Sequence, residues 1–327
     1  FGLAALMVVL LLGMVRFYGA DWVTLAAFAG TALLEFAWHA HHFDRALPVT
    51  PLLWYLGFYL AFAIFPFVFQ AQLRDRLLPW GVAALFAPVQ FLLVYRLIKA
   101  AYLNPYMGLI PAAFAVPSLL SLVRLVWVLP SEAVRRNTQL ALFGGVTLFF
   151  ITLIFPIQFE KQWITLGWAL EGAALLWLRQ RIPHPGLRYV GLGLLATAFI
   201  RLAINPAVLD YHDRTGTPIF NWYFYTYGLV TVCLFVGSRL LTPPQHRLGT
   251  INAAAVLEGL GTVLAFLLLN LEIADYFSPG RTVTFDFSGN LGRDMTYSLA
   301  WGVFAFVLLV VGIRRRTTAP RYAGLGL

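Results

Sequence analysis

Glu35, His39 and His42 stand at i, i+4 and i+7 within an apolar stretch, so a helix carries all three on one face. Imidazole and carboxylate at that spacing pass protons or hold a divalent ion. No second ligand pair of comparable spacing occurs elsewhere in the chain, so no metal site and no cofactor are expected. The plainer reading is a polar helix end entering water, with His41 and Asp44 close by. Two more glutamates, Glu171 and Glu258, lie inside apolar runs beside glycine. An ionised side chain at a bilayer centre costs about 2.5–3.5 kcal/mol on insertion scales. Each of the three carboxyls is therefore expected to face a bundle interior or a water-filled cavity. There it acts as a proton or cation relay, touches a substrate, or only holds helices together through hydrogen bonds. Arg124 is a candidate counter-ion. Gln70, Gln90, Asn205, Asn252 and Asn270 are further embedded polar groups of the kind that bond across helices.

A second set sits between apolar runs. Asp210, His212, Asp213 and Arg214 share one such segment, and Asp286 shares another with Glu272 and Asp275. Carboxylates with aromatics at an outer membrane surface suit acid/base work on a lipid-linked or glycan substrate. The alternative is a solvated cap. Thr282 to Phe287 alternates as a short strand does. No nucleophile elbow, phosphate loop, dinucleotide fingerprint, HExxH or CxxC is present.

The elements that must position these groups follow from composition. Of 327 residues, 60% are hydrophobic and only 11% charged, with a mean hydropathy of +0.78. A soluble domain carries roughly 25% charged residues to cover its surface. Lone Cys233 excludes an internal disulfide scaffold. An all-α, polytopic transmembrane helix bundle remains. Runs of about 20 apolar residues occur near 2–16, 22–39, 51–70, 78–98, 105–127, 138–156, 162–179, 187–204, 220–240, 250–270 and 296–313, with a twelfth starting near 320. The expected division is 1–130 and 131–327.

Alternate loops then separate by charge. One side holds fifteen basic residues, among them Arg74, Arg76, Arg135, Arg136, Arg179 and Arg181, against Asp21, Asp75 and Glu132; on the other side basic and acidic residues balance. Basic loops face the cytoplasm, which predicts a multi-pass protein of the inner, cytoplasmic membrane. Arg96 and Lys99 fall on the opposite side from that pattern. The basic excess thus needs no nucleic acid. Trp22, Trp54, Trp80, Trp163 and Trp222 are expected in the interfacial aromatic belt. Pro66, Pro88, Pro111, Pro117 and Pro156 fall within the third to sixth spans; interrupted spans line transport sites, and proline is also simply frequent in membrane helices.

Residues 168–194 and 301–327 repeat at a spacing of 133. Each has Trp, an arginine-rich turn and proline, followed by Arg-Tyr-x-Gly-Leu-Gly-Leu from Arg188 or Arg321. Each reads as a duplicated helical hairpin whose glycines let its second helix pack closely. The copies begin and end on the same sides, unlike the inverted repeats of many transporters.

The run from Trp168 to Trp177, the Arg188 to Gly193 segment, Ser298 to Trp301, Gly312 to Arg316 and Asn270 to Phe277 resemble the bacterial membrane-protein family designated domain of unknown function 2339. The resemblance is strongest over residues 138–327. It implies a longer, many-spanned chain, in keeping with ends that read as cuts, and it implies no activity or catalytic residue. The first run, Phe1 to Val15, reads as a helix and not as a signal peptide.

Three functions fit these features. The leading expectation is a transport or envelope-related role, with buried glutamates lining a polar cavity. The others are a transferase or hydrolase of envelope lipid or glycan at the outer loops, and an assembly subunit that docks a partner membrane protein. Membrane lipid is the one partner that all three share. The sequence names no substrate.

Overall fold

The computed structural model describes residues 1–102, 105–130, 133–158, 163–210, 217, 219–243, 246–278, 280, 282–285, 289–315 and 324–325. Among them run twelve α-helices: α1 (Gly2–Tyr18), α2 (Trp22–His42), α3 (Val49–Val68), α4 (Gln70–Leu73), α5 (Leu77–Ala101), α6 (Leu109–Val128), α7 (Arg136–Gln158), α8 (Trp163–Arg181), α9 (Pro185–Ile204), α10 (Trp222–Leu240), α11 (Ala253–Phe277) and α12 (Leu291–Arg314). All except α4 fall on the eleven apolar runs. Eight are long and apolar enough to cross a membrane. The other three on apolar runs are 17-residue α1 and the less apolar α8 and α10, of 19 residues each. Helices are the expected solution, because backbone groups in hydrocarbon must bond within their own segment. The fold is an all-α polytopic bundle. The start of the twelfth expected span lies outside the described residues, apart from Gly324 and Leu325.

Residues 1–167 and 174–191 form one compact unit, and residues 168–173 and 192–327 form another. In the first, α3 and α2 pack on α5, and α6 packs on α7. Lipid tails are as apolar as these side chains, so close packing and hydrogen bonds must hold the helices together. Aromatic rings supply much of that packing. Phe62 stacks on Phe86 at 4.3 Å, while Phe91 and Phe114 meet Phe150 at 5.6 and 5.5 Å. Such pairs contribute about 0.5–1.5 kcal/mol beyond their area. α1 ends at Gly19, whose φ of 68° is a left-handed cap that suits glycine. Arg76 reaches Asp21 at 2.9 Å beside this turn. On the same end of the unit, Gln139 donates to the Arg74 carbonyl at 2.8 Å.

Trp80 departs from expectation. It is fully buried and donates from Nε1 to the Leu73 carbonyl at 3.0 Å, closing the α4 turn. The helices also run through Pro66, Pro88, Pro117 and Pro156; Pro111 sits in the first turn of α6, where a missing N–H is harmless.

In the second unit, α10 and α11 form the tightest pair. A two-residue hairpin joins them, β1 (Arg247–Leu248) with β2 (Ile251–Asn252), turning at Gly249. Asn221, Asn252 and Asn290 cap α10, α11 and α12 by accepting backbone N–H bonds. α11 continues to Phe277, so Glu272 and Asp275 are helical where a loop was expected. The expected strand is absent over its described residues, 282–285. In the repeat's second copy, a Cβ on Gly324 would lie 2.7 Å from the Ala305 carbonyl oxygen of α12. Backbone thus lies on backbone at that glycine, whereas a Cβ on Gly193 of the first copy would meet nothing within 4 Å.

Candidate functional site

The polar centre of the first unit lies where α2, α3 and α5 meet. Glu35 on α2 is 0% exposed, and so is Gln90 on α5. Gln90 Nε2 donates to Glu35 Oε1 at 3.1 Å and to the Tyr55 carbonyl at 2.9 Å. Two buried atoms of this pair, Glu35 Oε2 and Gln90 Oε1, have no hydrogen-bond partner among the described residues. They are complementary: a proton on Oε2 would make Glu35 a donor and leave Gln90 Oε1 as the acceptor. An acid–amide pair can then bond twice, where a carboxylate and an amide bond once.

Tyr55 extends this centre toward the helix end. It is fully buried, and its hydroxyl meets His39 Nδ1 at 3.2 Å. His39 is half-buried and stacks on Phe43 at 4.6 Å. Arg96, exposed on α5, sits 6.0 Å from the Phe36 ring. His42 is exposed and stacks on Trp38 at 6.1 Å. The helical face Glu35–His39–His42 thus grades from buried to exposed over two turns. A protonated Glu35 would hold a proton deep in the unit, and the Tyr55 hydroxyl and the His39 imidazole can exchange one nearer the helix end. No group of three metal-ligating side chains exists among the described residues.

The other two glutamates belong to the second unit. Glu171 is buried on α8 in the second unit. Glu258 on α11 is 38% exposed at its side chain and forms an ion pair with Arg315, just beyond α12. Arg124 is exposed on α6, and no ion pair joins it to a glutamate among the described residues.

One end of the second unit carries a polar layer. Asn221 Nδ2 donates to Glu272 Oε2 at 3.0 Å and to Asp275 Oδ2 at 3.2 Å. Trp301 Nε1 donates to Asn270 Oδ1 at 2.9 Å. A cavity of about 210 Å³ opens beside this layer among α9, α10 and α11, bordered by Asn205, Tyr227, Asn270 and Phe285. A shallower hollow adjoins it, bordered by Trp168, Thr197 and Arg201, and the two share Ile204 and Asn205. None of the three glutamates borders either one. Asp210 ends a 3-10 helix, Pro206–Asp210; His212, Asp213 and Asp286 lie outside the described residues.

Sequence reasoning placed Glu35 and His39 on one helical face, picked out Gln90 separately and missed Tyr55. Only a polar residue in each of three apolar runs hints at the cluster, and 55 residues separate Glu35 from Gln90. A family model described as "Predicted membrane protein (DUF2339)" matches residues 1–275 and 187–327. Neither a curated protein nor a solved structure matches the chain.

Proposed function

This chain belongs to the DUF2339 family of predicted membrane proteins, and we propose that it moves protons across its bilayer, alone or coupled to a solute, through Glu35. One observation carries this reading: a fully buried carboxyl whose second oxygen has no partner among the described residues, beside a Gln90 carbonyl oxygen that also has none there. An ionisable residue at membrane depth is expensive, and relays are among the roles that retain one. The bond between Tyr55 and His39 gives the proton a path toward the exposed end of α2. The same reading sets the protein in the inner, cytoplasmic membrane, with its arginine-rich turns in the cytosol, as the charge asymmetry favours.

The test uses purified protein in liposomes that enclose a pH-sensitive dye, with a potassium diffusion potential as the driving force. Wild type should change the internal pH, and Glu35→Gln should fall to the level of empty liposomes. Glu258→Gln, which alters a half-exposed ion pair, should leave the flux intact. A wild-type flux no greater than background overturns the reading, as does full flux in Glu35→Gln.

A further inference from the structure

The corner before α5 and the turn before α7 carry an inference that does not depend on proton movement. α6 ends at Val128 and α7 starts at Arg136, and both are long and apolar enough to cross a membrane. The turn between them therefore lies at the depth where hydrocarbon gives way to headgroups. Arg74 sits at the same end of the first unit, between α4 and α5. Its backbone is fixed from two sides. Buried Trp80 donates to the Leu73 carbonyl at 3.0 Å, and fully buried Gln139 donates to the Arg74 carbonyl at 2.8 Å. Arg135 lies four residues before Gln139, and its carbonyl accepts the Gln139 N–H at 3.0 Å. One helical turn thus separates the two. Arg135 stands on the side of α7 that faces Arg74, about 6 Å farther out.

The neighbouring arginines are engaged. Arg76 pairs with Asp21 at 2.9 Å, Arg136 Nε donates to the Leu129 carbonyl at 3.2 Å, and Arg16 lies 5.0 Å from the Phe69 ring. Arg74 and Arg135 are both exposed, and neither guanidinium has a hydrogen bond or ion pair among the described residues. Exposed Asp75 pairs with neither of them, and Glu132 lies outside the described residues. Two large apolar side chains flank the same turn in the open: Trp127, in the last turn of α6, is 83% exposed, and Val134, beside Arg135, is 92% exposed. Tryptophan favours the headgroup level, where one part of its ring meets hydrocarbon and its N–H meets water. Free guanidinium forks match phosphate oxygens. Exposed apolar side chains among them match the chains below a headgroup.

We propose that the Arg74 corner and the turn before α7 hold one anionic phospholipid of the surrounding bilayer, its phosphate between Arg74 and Arg135 and its chains against Trp127 and Val134. The buried Gln139 bond keeps the two arginines on one platform, and their charge selects the headgroup.

The experiment measures lipid retention by native mass spectrometry. The whole protein is purified in detergent and titrated with phosphatidylglycerol or phosphatidylcholine of equal chain length. Wild type should retain phosphatidylglycerol about 25-fold more tightly, since each of two arginines near a membrane surface contributes about fivefold. Arg74→Gln and Arg135→Gln should each lose about fivefold of that preference. The double variant should retain both lipids alike, and replacing both arginines by lysine should keep most of the preference. Arg45→Gln, beyond the far end of α2, should leave it unchanged. Glycerol 3-phosphate, a headgroup without chains, should not displace the lipid at equal concentration. Equal retention of the two lipids by wild type overturns the proposal, and so does a preference that survives in the double variant. Displacement by glycerol 3-phosphate also overturns it, because the site would then hold phosphate alone. Monodispersity of each variant on size exclusion confirms that the comparison is between folded proteins. Proton flux does not enter any of these outcomes.

Discussion

Replacing Gln90 by leucine tests whether the acid–amide pair is coupled as the geometry requires. Leucine has nearly the same volume as glutamine and keeps the α5 surface filled, so the loss is one of hydrogen bonds. The substitution removes the bonds to Glu35 Oε1 and to the Tyr55 carbonyl. It also leaves a carboxyl that is 0% exposed with no donor at either oxygen. A buried hydrogen bond contributes about 0.5–1.5 kcal/mol, and an orphaned buried polar group costs about 1–3 kcal/mol. The expected loss is therefore about 2–4 kcal/mol. Removing both partners should be milder than removing one, because nothing polar is then stranded. Glu35→Leu combined with Gln90→Leu should recover about 1–3 kcal/mol relative to Gln90→Leu alone, the cost of one stranded buried polar group. Glu35→Gln keeps shape and an acceptor oxygen, so its stability should lie within about 1 kcal/mol of wild type. The assay is reversible unfolding in mixed detergent micelles, run on all four proteins. A double variant no more stable than Gln90→Leu would refute the reasoning, because the two side chains would then act independently.

Three further outcomes follow. Gly324→Val should destabilise the protein by about 1–3 kcal/mol through overpacking against the Ala305 carbonyl; Gly302→Ala, where a Cβ meets nothing within 4 Å, should leave the thermal midpoint unchanged. Arg76→Gln should cost less than about 1 kcal/mol, since its ion pair with Asp21 is about a third exposed, and the difference should shrink in high salt. For orientation, native Cys233 is buried and is first changed to alanine; a cysteine at Pro183 should then react only from the cytoplasmic side and one at Ile219 only from the other, by impermeant-thiol labelling in intact cells and inverted vesicles.

The helical frame was legible because each span needs a long apolar run, and such runs stand out in a chain this poor in charge. Helix ends were harder to read. α11 continues through Asn270, Glu272 and Asp275, which in sequence resemble the start of a loop. Asn221 and Trp301 supply the donors that let those residues remain helical, and both come from other helices. Trp80 looked interfacial because it begins an apolar run; the α4 turn covers it and offers the Leu73 carbonyl. Four residues of helix set by tertiary packing leave little trace in periodicity. The candidate site divided in the same way. Local spacing put Glu35 and His39 on one face, and the structure adds Tyr55 from α3 and Gln90 from α5 through contacts that no spacing rule encodes.

The most direct test of proton storage at Glu35 is infrared difference spectroscopy on the protein in lipid, recorded while a pH step drives proton movement. A protonated carboxyl has its own carbonyl absorption, separate from that of a carboxylate. The account predicts a carboxylic-acid band that changes in step with proton flux, is lost in Glu35→Gln and shifts when Gln90→Leu removes its partner. The same band persisting in Glu35→Gln would contradict the account, as would a Glu35 signal that stays constant while protons cross.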